Sequence, residues 1–90
     1  MHTSERPRSH RDAICKVVDG EGLIVHSRTG SYHVLNPVGT HVWQLLDGTR
    51  DVHALARAVA EEFEVDPAQA EADVREFVGA LASLEMLEQG

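Results

Sequence analysis

The hydrophobic pattern of this chain changes its period once, at Asn36-Pro37, and that change limits the folds available to it. Before this point, short apolar runs are separated by turn residues, which is typical of β-strands. After it, apolar residues recur three and four positions apart, the spacing of one face of an α-helix. Because the helices follow the strands rather than alternate with them, the sequence predicts an α+β fold.

Three strands are predicted in the first half of the chain, over residues 14–18, 23–27 and 31–35. Thr29-Gly30 is predicted as a two-residue turn between the second and third strands, since glycine tolerates the positive φ that such turns need. This turn predicts three cross-strand pairs: Arg28 with Ser31, His26 with His33, and Ile24 with Leu35. The expected sheet is a three-stranded antiparallel meander with the third strand at an edge.

Three helices are predicted in the second half, each starting at a polar N-cap residue. The starts are Asn36-Pro37, Asp51 and Asp66-Pro67, and Asp47-Gly48 is predicted to end the first helix. Residues 85–89 are predicted as a tail or a short final strand. The second and third helices resemble a helix-turn-helix, so the predicted architecture is winged-helix-like.

The length and composition predict one domain of residues 13–90 behind a disordered N-terminal arm of residues 1–12. Cys15 is the single cysteine, so no internal disulfide is possible, and a lone thiol fits a reducing cytoplasm. No apolar run approaches the roughly 20 residues that a membrane span needs. We therefore expect a cytoplasmic protein without a membrane partner.

The charge is unevenly distributed along the chain and argues against a nucleic-acid partner. Residues 1–50 carry a net charge of +1, whereas residues 51–90 carry −8. The predicted third helix has Arg75 among several acidic residues, but a DNA-recognition helix needs basic side chains. A winged-helix DNA-binding regulator stays open as the alternative function, whereas a neutral or basic peptide suits the acidic half better.

Metal binding and catalysis have weak signals in this sequence. His26 and His33 are predicted to be neighbours across the hairpin, with Cys15 on the adjacent strand, but zinc needs three or four ligands. Polar strand residues are the preferred interpretation of the two histidines. A small enzyme subunit with Cys15 as nucleophile is the other class left open. We predict no metal, no cofactor and no catalytic residues.

The third predicted strand, with the sequence SYHVL, lies at an edge and has no lysine, proline or bulge to block pairing. Such an edge can accept an extended peptide as an additional strand. A helix or a second subunit covering the edge is the other interpretation. The residues alone favour neither one.

The stretch GSYHVLNPVGTHVWQLLDGTR, residues 30–50, resembles the PqqD family, and so do the following AxxF motif and residues 73–81, DVREFVGAL. The resemblance extends over residues 14–88. It implies a non-catalytic protein that binds the leader of a ribosomally synthesised precursor peptide and presents it to a modifying enzyme. In pathways to pyrroloquinoline quinone this is a radical-SAM enzyme, and in split lasso-peptide systems it is a leader peptidase.

The resemblance also implies where the leader docks: along the third strand, beside the third helix. The predicted site has two walls, one from each of these elements. Tyr32 and Val34 share one face of the strand, and His33 and Leu35 share the other. The predicted peptide-binding residues are Ser31, Tyr32, His33, Val34, Leu35, Ala70, Asp73, Val74, Glu76, Phe77 and Leu81.

Overall fold

A computed structural model describes residues 6–88 of the chain. Three strands form one antiparallel sheet in the order β1-β2-β3, and three helices follow. The elements are β1 Ala13–Val18, β2 Glu21–His26, β3 Tyr32–Leu35, α1 Pro37–Gln44, α2 Val52–Phe63 and α3 Pro67–Ser83. The predicted α+β fold, with three strands followed by three helices, is confirmed.

The register of β2 and β3 differs from the prediction by two residues. His33 lies opposite Ile24, and Leu35 lies opposite Gly22, so the predicted pairs of His26 with His33 and Ile24 with Leu35 are wrong. The turn between β2 and β3 is longer than the predicted two residues, because the side chain of the buried His26 binds the backbone of the turn. Its Nδ1 accepts hydrogen bonds from the backbone N–H groups of Arg28 (3.2 Å) and Thr29 (3.3 Å). A shift of two residues keeps every side chain on its predicted face.

The helix starts confirm the predicted caps. The side chains of Asn36, Asp51 and Asp66 accept hydrogen bonds from the N–H groups of Gly39, Ala54 and Gln69, at 2.7, 2.9 and 3.3 Å. α1 ends at Gln44, three residues before the predicted stop. The chain leaves the helix early because Asp47 forms a β-bridge with Arg8.

The core lies between the helices and one face of the sheet, which we call the inner face. Its sheet residues are Ile24 and Leu35, and most of its other members lie on the inward faces of the three helices. Full burial of each large apolar side chain contributes about 1.5–3 kcal/mol. The other members of the core are Val42, Trp43, Leu46, Val52, Leu55, Ala56, Val59, Ala70, Val74, Val78, Leu81, Met86 and Leu87.

The predicted disordered arm needs a correction where the structure describes it. Ser9 N–H donates to Leu46 O (2.9 Å), and His10 N–H donates to Met86 O (2.8 Å). These bonds join residues 8–10 to the chain after α1 and to the C-terminal segment, where Leu87 forms a β-bridge with Ser9. The first five residues of the predicted arm, residues 1–5, lie outside the described residues. Among the helices of residues 6–88, none has the length and apolarity to cross a membrane.

Candidate functional site

The outer edge of β3, which pairs with no other strand within residues 6–88, is the first component of the candidate site. His26 N–H donates to Ser31 O at 2.8 Å, which makes these two residues a hydrogen-bonded pair of the antiparallel ladder. Hydrogen-bonded and non-hydrogen-bonded pairs alternate in such a ladder, so His33 also directs its backbone groups to β2. The backbone groups of Tyr32 and Val34 therefore point outward. The edge offers two residues for pairing, rather than all of 31–35.

The side chains of β3 alternate between the two faces of the sheet, as predicted. Tyr32 and Val34 are 68% and 66% exposed on the outer face, which is turned away from the helices. His33 is half-buried and Leu35 is buried on the inner face. A strand added at this edge would alternate in the same way, with every second side chain on the helix side.

The second component is a shallow groove of about 260 Å³ between β3 and α3. His33 forms its strand wall and Phe77 its helix wall, with ring centroids 6.2 Å apart. Phe77 can approach this closely because residue 39 is glycine, where a Cβ would lie 3.3 Å from the ring. Four predicted site residues meet in this groove, and Ala80, which was not predicted, also lines it. Its position one helical turn after Glu76 was the signal that could have identified it.

Four other predicted site residues do not reach the groove. Leu35, Ala70, Val74 and Leu81 are each at most 1% exposed and belong to the core. Leu35 packs into the core from β3, and the other three lie on the face that packs α3 onto the rest of the domain. A ligand could touch these residues only after the core had opened. They support the groove from below. Ser31 lies at the start of β3 with its carbonyl bonded to His26.

The helix wall of the groove is acidic. Asp73 accepts a hydrogen bond from Gln69 Nε2 at 2.9 Å, and Glu76 lines the groove one turn away. Within residues 6–88, neither carboxylate forms an ion pair, whereas the nearby Glu71 pairs with His53 and with Arg75. The groove can therefore accept a basic side chain, but the same charge repels the phosphates of nucleic acid.

Cys15 lies on β1, away from the groove, and its environment does not activate it. Desolvation by burial raises the pKa of its thiol, although a hydrogen bond with the Leu23 backbone opposes the shift. A nucleophilic cysteine needs the opposite, a lowered pKa. In the part of the chain that the structure describes, no group of three or more His, Cys, Asp or Glu side chains could hold a metal ion.

The comparison with known proteins bears on what this edge and groove bind. A family model described as Coenzyme PQQ synthesis protein D (PqqD) matches residues 21–87, which include β2, β3 and all three helices. The chain belongs to the PqqD family. No curated protein sequence gives a significant match.

Solved structures of known proteins share this fold. TbiB1, in complex with the TbiA(beta) leader peptide, is 31% identical, with a TM-score of 0.80 over 92% of this chain and 96% of its own. Lasso peptide synthetase B1, complexed with a leader peptide, is 23% identical, with a TM-score of 0.78 over 93% of this chain and 99% of its own.

A third similar structure was determined in solution by NMR. It is the PqqD truncation of PqqCD from Methylobacterium extorquens, described as a stand-alone recognition element for ribosomally synthesised and post-translationally modified peptides. It is 23% identical to this chain, with a TM-score of 0.78 over 98% of this chain and 94% of its own. At this identity the likeness shows the fold.

Proposed function

We propose that this protein binds the leader segment of a ribosomally synthesised precursor peptide by adding it as a fourth strand to β3. The observation that supports this proposal most directly is the edge of β3, which is unpaired within residues 6–88. Beside it lies the groove lined by the aromatic rings of His33 and Phe77 and by the carboxylates of α3. Support comes from the family match and from TbiB1, a 31% identical relative whose structure holds a leader peptide. Strand addition is a general mode of peptide recognition in which backbone pairing gives affinity and side-chain pockets give specificity.

Because backbone and side-chain directions alternate along β3, its edge and the adjacent groove would bind different parts of the leader. The outward N–H and C=O groups of Tyr32 and Val34 would pair with the leader backbone and fix its register. Leader side chains on the helix side would enter the groove, where Phe77 offers an apolar contact. Asp73 and Glu76 would pair with a basic leader residue, and an exposed pair of this kind contributes about 0.2–1 kcal/mol. Charge would therefore guide the encounter more than it sets affinity.

The protein itself would perform no chemistry on the bound peptide. Cys15 has a raised pKa and lies two strands from the β3 edge. We propose that the precursor is presented to a separate modifying enzyme in the cytoplasm, either a leader peptidase of a lasso-peptide pathway or a radical-SAM enzyme. The domain would hold the leader while the core of the precursor stays free.

The test is a proline at each edge of the sheet. Val34→Pro removes an outward N–H from β3 but leaves the ladder with β2 intact, and proline is tolerated at such edge positions. We expect loss of leader binding with the helical circular dichroism signal preserved. Val17→Pro is the matched control, because Val17 lies on the opposite edge strand and its register also points its N–H outward.

The binding measurement is a titration of each purified variant with synthetic leader peptides taken from short open reading frames near the gene. Loss of binding by Val34→Pro and retention by Val17→Pro would support pairing at β3. A folded Val34→Pro protein with unchanged affinity would contradict the proposed docking mode.

A further inference from the structure

The outer face of the sheet is apolar, although no part of residues 6–88 covers it. Antiparallel sheets with one solvated face normally carry polar residues there. Here the large side chains on that face are between 40% and 68% exposed. We define the outer patch by these six residues: Ile14, Val18, Leu23, Val25, Tyr32 and Val34.

The strand pairing makes the outer patch continuous from one edge of the sheet to the other. Ile14 lies opposite Val25, and Val25 lies opposite Tyr32. In the next row, Leu23 lies between Lys16 and Val34. Directly opposite side chains in a sheet have Cβ atoms about 4.5–5.5 Å apart, so these rows form one surface. Contiguous exposed apolar surfaces of this kind mark interaction sites.

We propose that the outer patch is the docking surface for the enzyme that acts on the leader-bound precursor. The enzyme would contribute an apolar surface with a carboxylate opposite Lys16. This inference rests on the proposed leader binding, and it names the surface that binds the enzyme. It uses a face of the sheet that leader binding leaves exposed.

Continuity with the β3 edge is the first argument for this occupant. Tyr32 and Val34 belong both to the edge that would pair with the leader and to the outer patch. A leader added to β3 would place every second side chain on the outer face and extend the patch by one strand. An enzyme seated there would contact the protein and the leader together, and would distinguish the loaded state from the empty one.

Charge is the second argument. Lys16 is the one cation among the strand residues of the outer face, and it forms no ion pair within residues 6–88. A long basic side chain within an apolar surface can lay its stem on that surface and offer its ammonium group to a carboxylate. Glu21 is the acidic strand residue of the same face and lies opposite Val18. A complementary partner surface is therefore apolar, with an acidic residue facing Lys16 and none facing Glu21, and this asymmetry fixes the orientation of docking.

A consequence is that leader and enzyme should help each other to bind. If the enzyme contacts the leader strand as well as the outer patch, the leader raises the affinity for the enzyme, and the enzyme raises the affinity for the leader by the same factor.

The test uses the full chain, the synthetic leader and the purified leader peptidase or radical-SAM enzyme that acts on the same precursor. Ile14→Glu places a charge in the outer patch two strands from β3, at a side chain that is 63% exposed. We expect enzyme affinity to fall at least tenfold while leader affinity is unchanged. Val17→Glu is the matched control, because it introduces the same glutamate on the same strand at an inner-face position that is 43% exposed. This variant should bind the enzyme normally.

Two further variants sharpen the result. Val25→Thr keeps the β-branched shape that strands favour and removes apolar surface from the centre of the patch. It tests the patch even if Ile14→Glu fails to fold. It should also weaken the enzyme complex. Lys16→Glu should lower the affinity for the enzyme by about fivefold or less, since an exposed ion pair contributes little.

The outcomes separate this inference from the proposed function. Normal enzyme affinity in folded Ile14→Glu and Val25→Thr proteins would overturn it, even if the leader binds. Light scattering that shows a dimer, dissociated by Ile14→Glu, would assign the patch to a second copy of the chain and also overturn it. A wild-type protein that fails to bind the leader would contradict the proposed function, while enzyme binding without leader would still test the patch.

Discussion

The two faces of this sheet have similar apolar side chains and opposite surroundings. On the inner face, Ile24 and Leu35 are at most 1% exposed beneath the helices. On the outer face, Tyr32 and Val34 of the same strand as Leu35 are about two-thirds exposed. Burial in this domain is therefore set by where the helices pack and not by the hydrophobicity of the strand residues.

The difference shows how a domain of this size divides its apolar residues between stability and binding. A small domain has one core, and the helices can cover only one face of a three-stranded sheet. Apolar residues on the other face add little to folding, so their presence indicates contact with another molecule. β3 serves both stability and binding, because its Leu35 packs into the core while its outer edge and its outer side chains face solvent.

The largest expected effect compares neighbouring residues on the two faces of β3. Leu35→Ala should lower the free energy of unfolding by about 2–5 kcal/mol, because it leaves a cavity in the core. Val34→Ala removes an exposed side chain and should change it by about 0.5 kcal/mol or less. Denaturant unfolding of both variants measures the difference. Similar losses in the two proteins would show that the outer face is buried in solution.

The next effect concerns Phe77, which lies at the boundary between core and groove. Its ring is half-buried against His33 and Gly39, so Phe77→Ala should cost less than the roughly 3–5 kcal/mol of a fully buried phenylalanine. Leader affinity should fall at least tenfold, about 1.4 kcal/mol, because an aromatic anchor is lost. Isothermal titration calorimetry measures leader affinity, and thermal melts report stability.

Phe63→Ala is the matched control for Phe77→Ala. Phe63 is also a half-buried helical aromatic next to a histidine, with its ring 5.6 Å from that of His41, but it lies outside the groove. It should lose a similar amount of stability and keep its leader affinity. If both variants bind the leader normally, Phe77 is a packing residue and the site reduces to the β3 edge.

Much of the fold was predictable because its signals are local. The caps at Asn36, Asp51 and Asp66 and the period change at residue 36 depend on a few neighbouring residues, and all of them hold in the structure. The β2–β3 register was not predictable from the turn signal. It depends on the buried imidazole of His26, which accepts two backbone hydrogen bonds and lengthens the turn.

The candidate site was predictable in part, for the same reason. Period-two alternation correctly separated Tyr32 and Val34 from His33 and Leu35. Helical spacing puts Val74, Phe77 and Leu81 on one face of α3 but does not say which of them reaches the rim, since that depends on the packing of α3 against β3. The docking of residues 8–10 was missed because it uses backbone hydrogen bonds, which leave no side-chain pattern.

The smallest expected effect concerns Cys15, an inner-face residue at the margin of the sheet next to the exposed Ile14. Because burial raises the pKa of its thiol, less thiolate is present near neutral pH than in a free cysteine. Alkylation by iodoacetamide should therefore be slower than for an unstructured cysteine peptide, with its rate rising at a higher pH than the peptide's. Unfolding in concentrated guanidinium should remove the difference. Leader binding should survive complete alkylation, since Cys15 is two strands from β3. A thiol that reacts faster than the free peptide, or leader binding that is lost on modification, would place Cys15 in the functional site and reopen the nucleophilic interpretation.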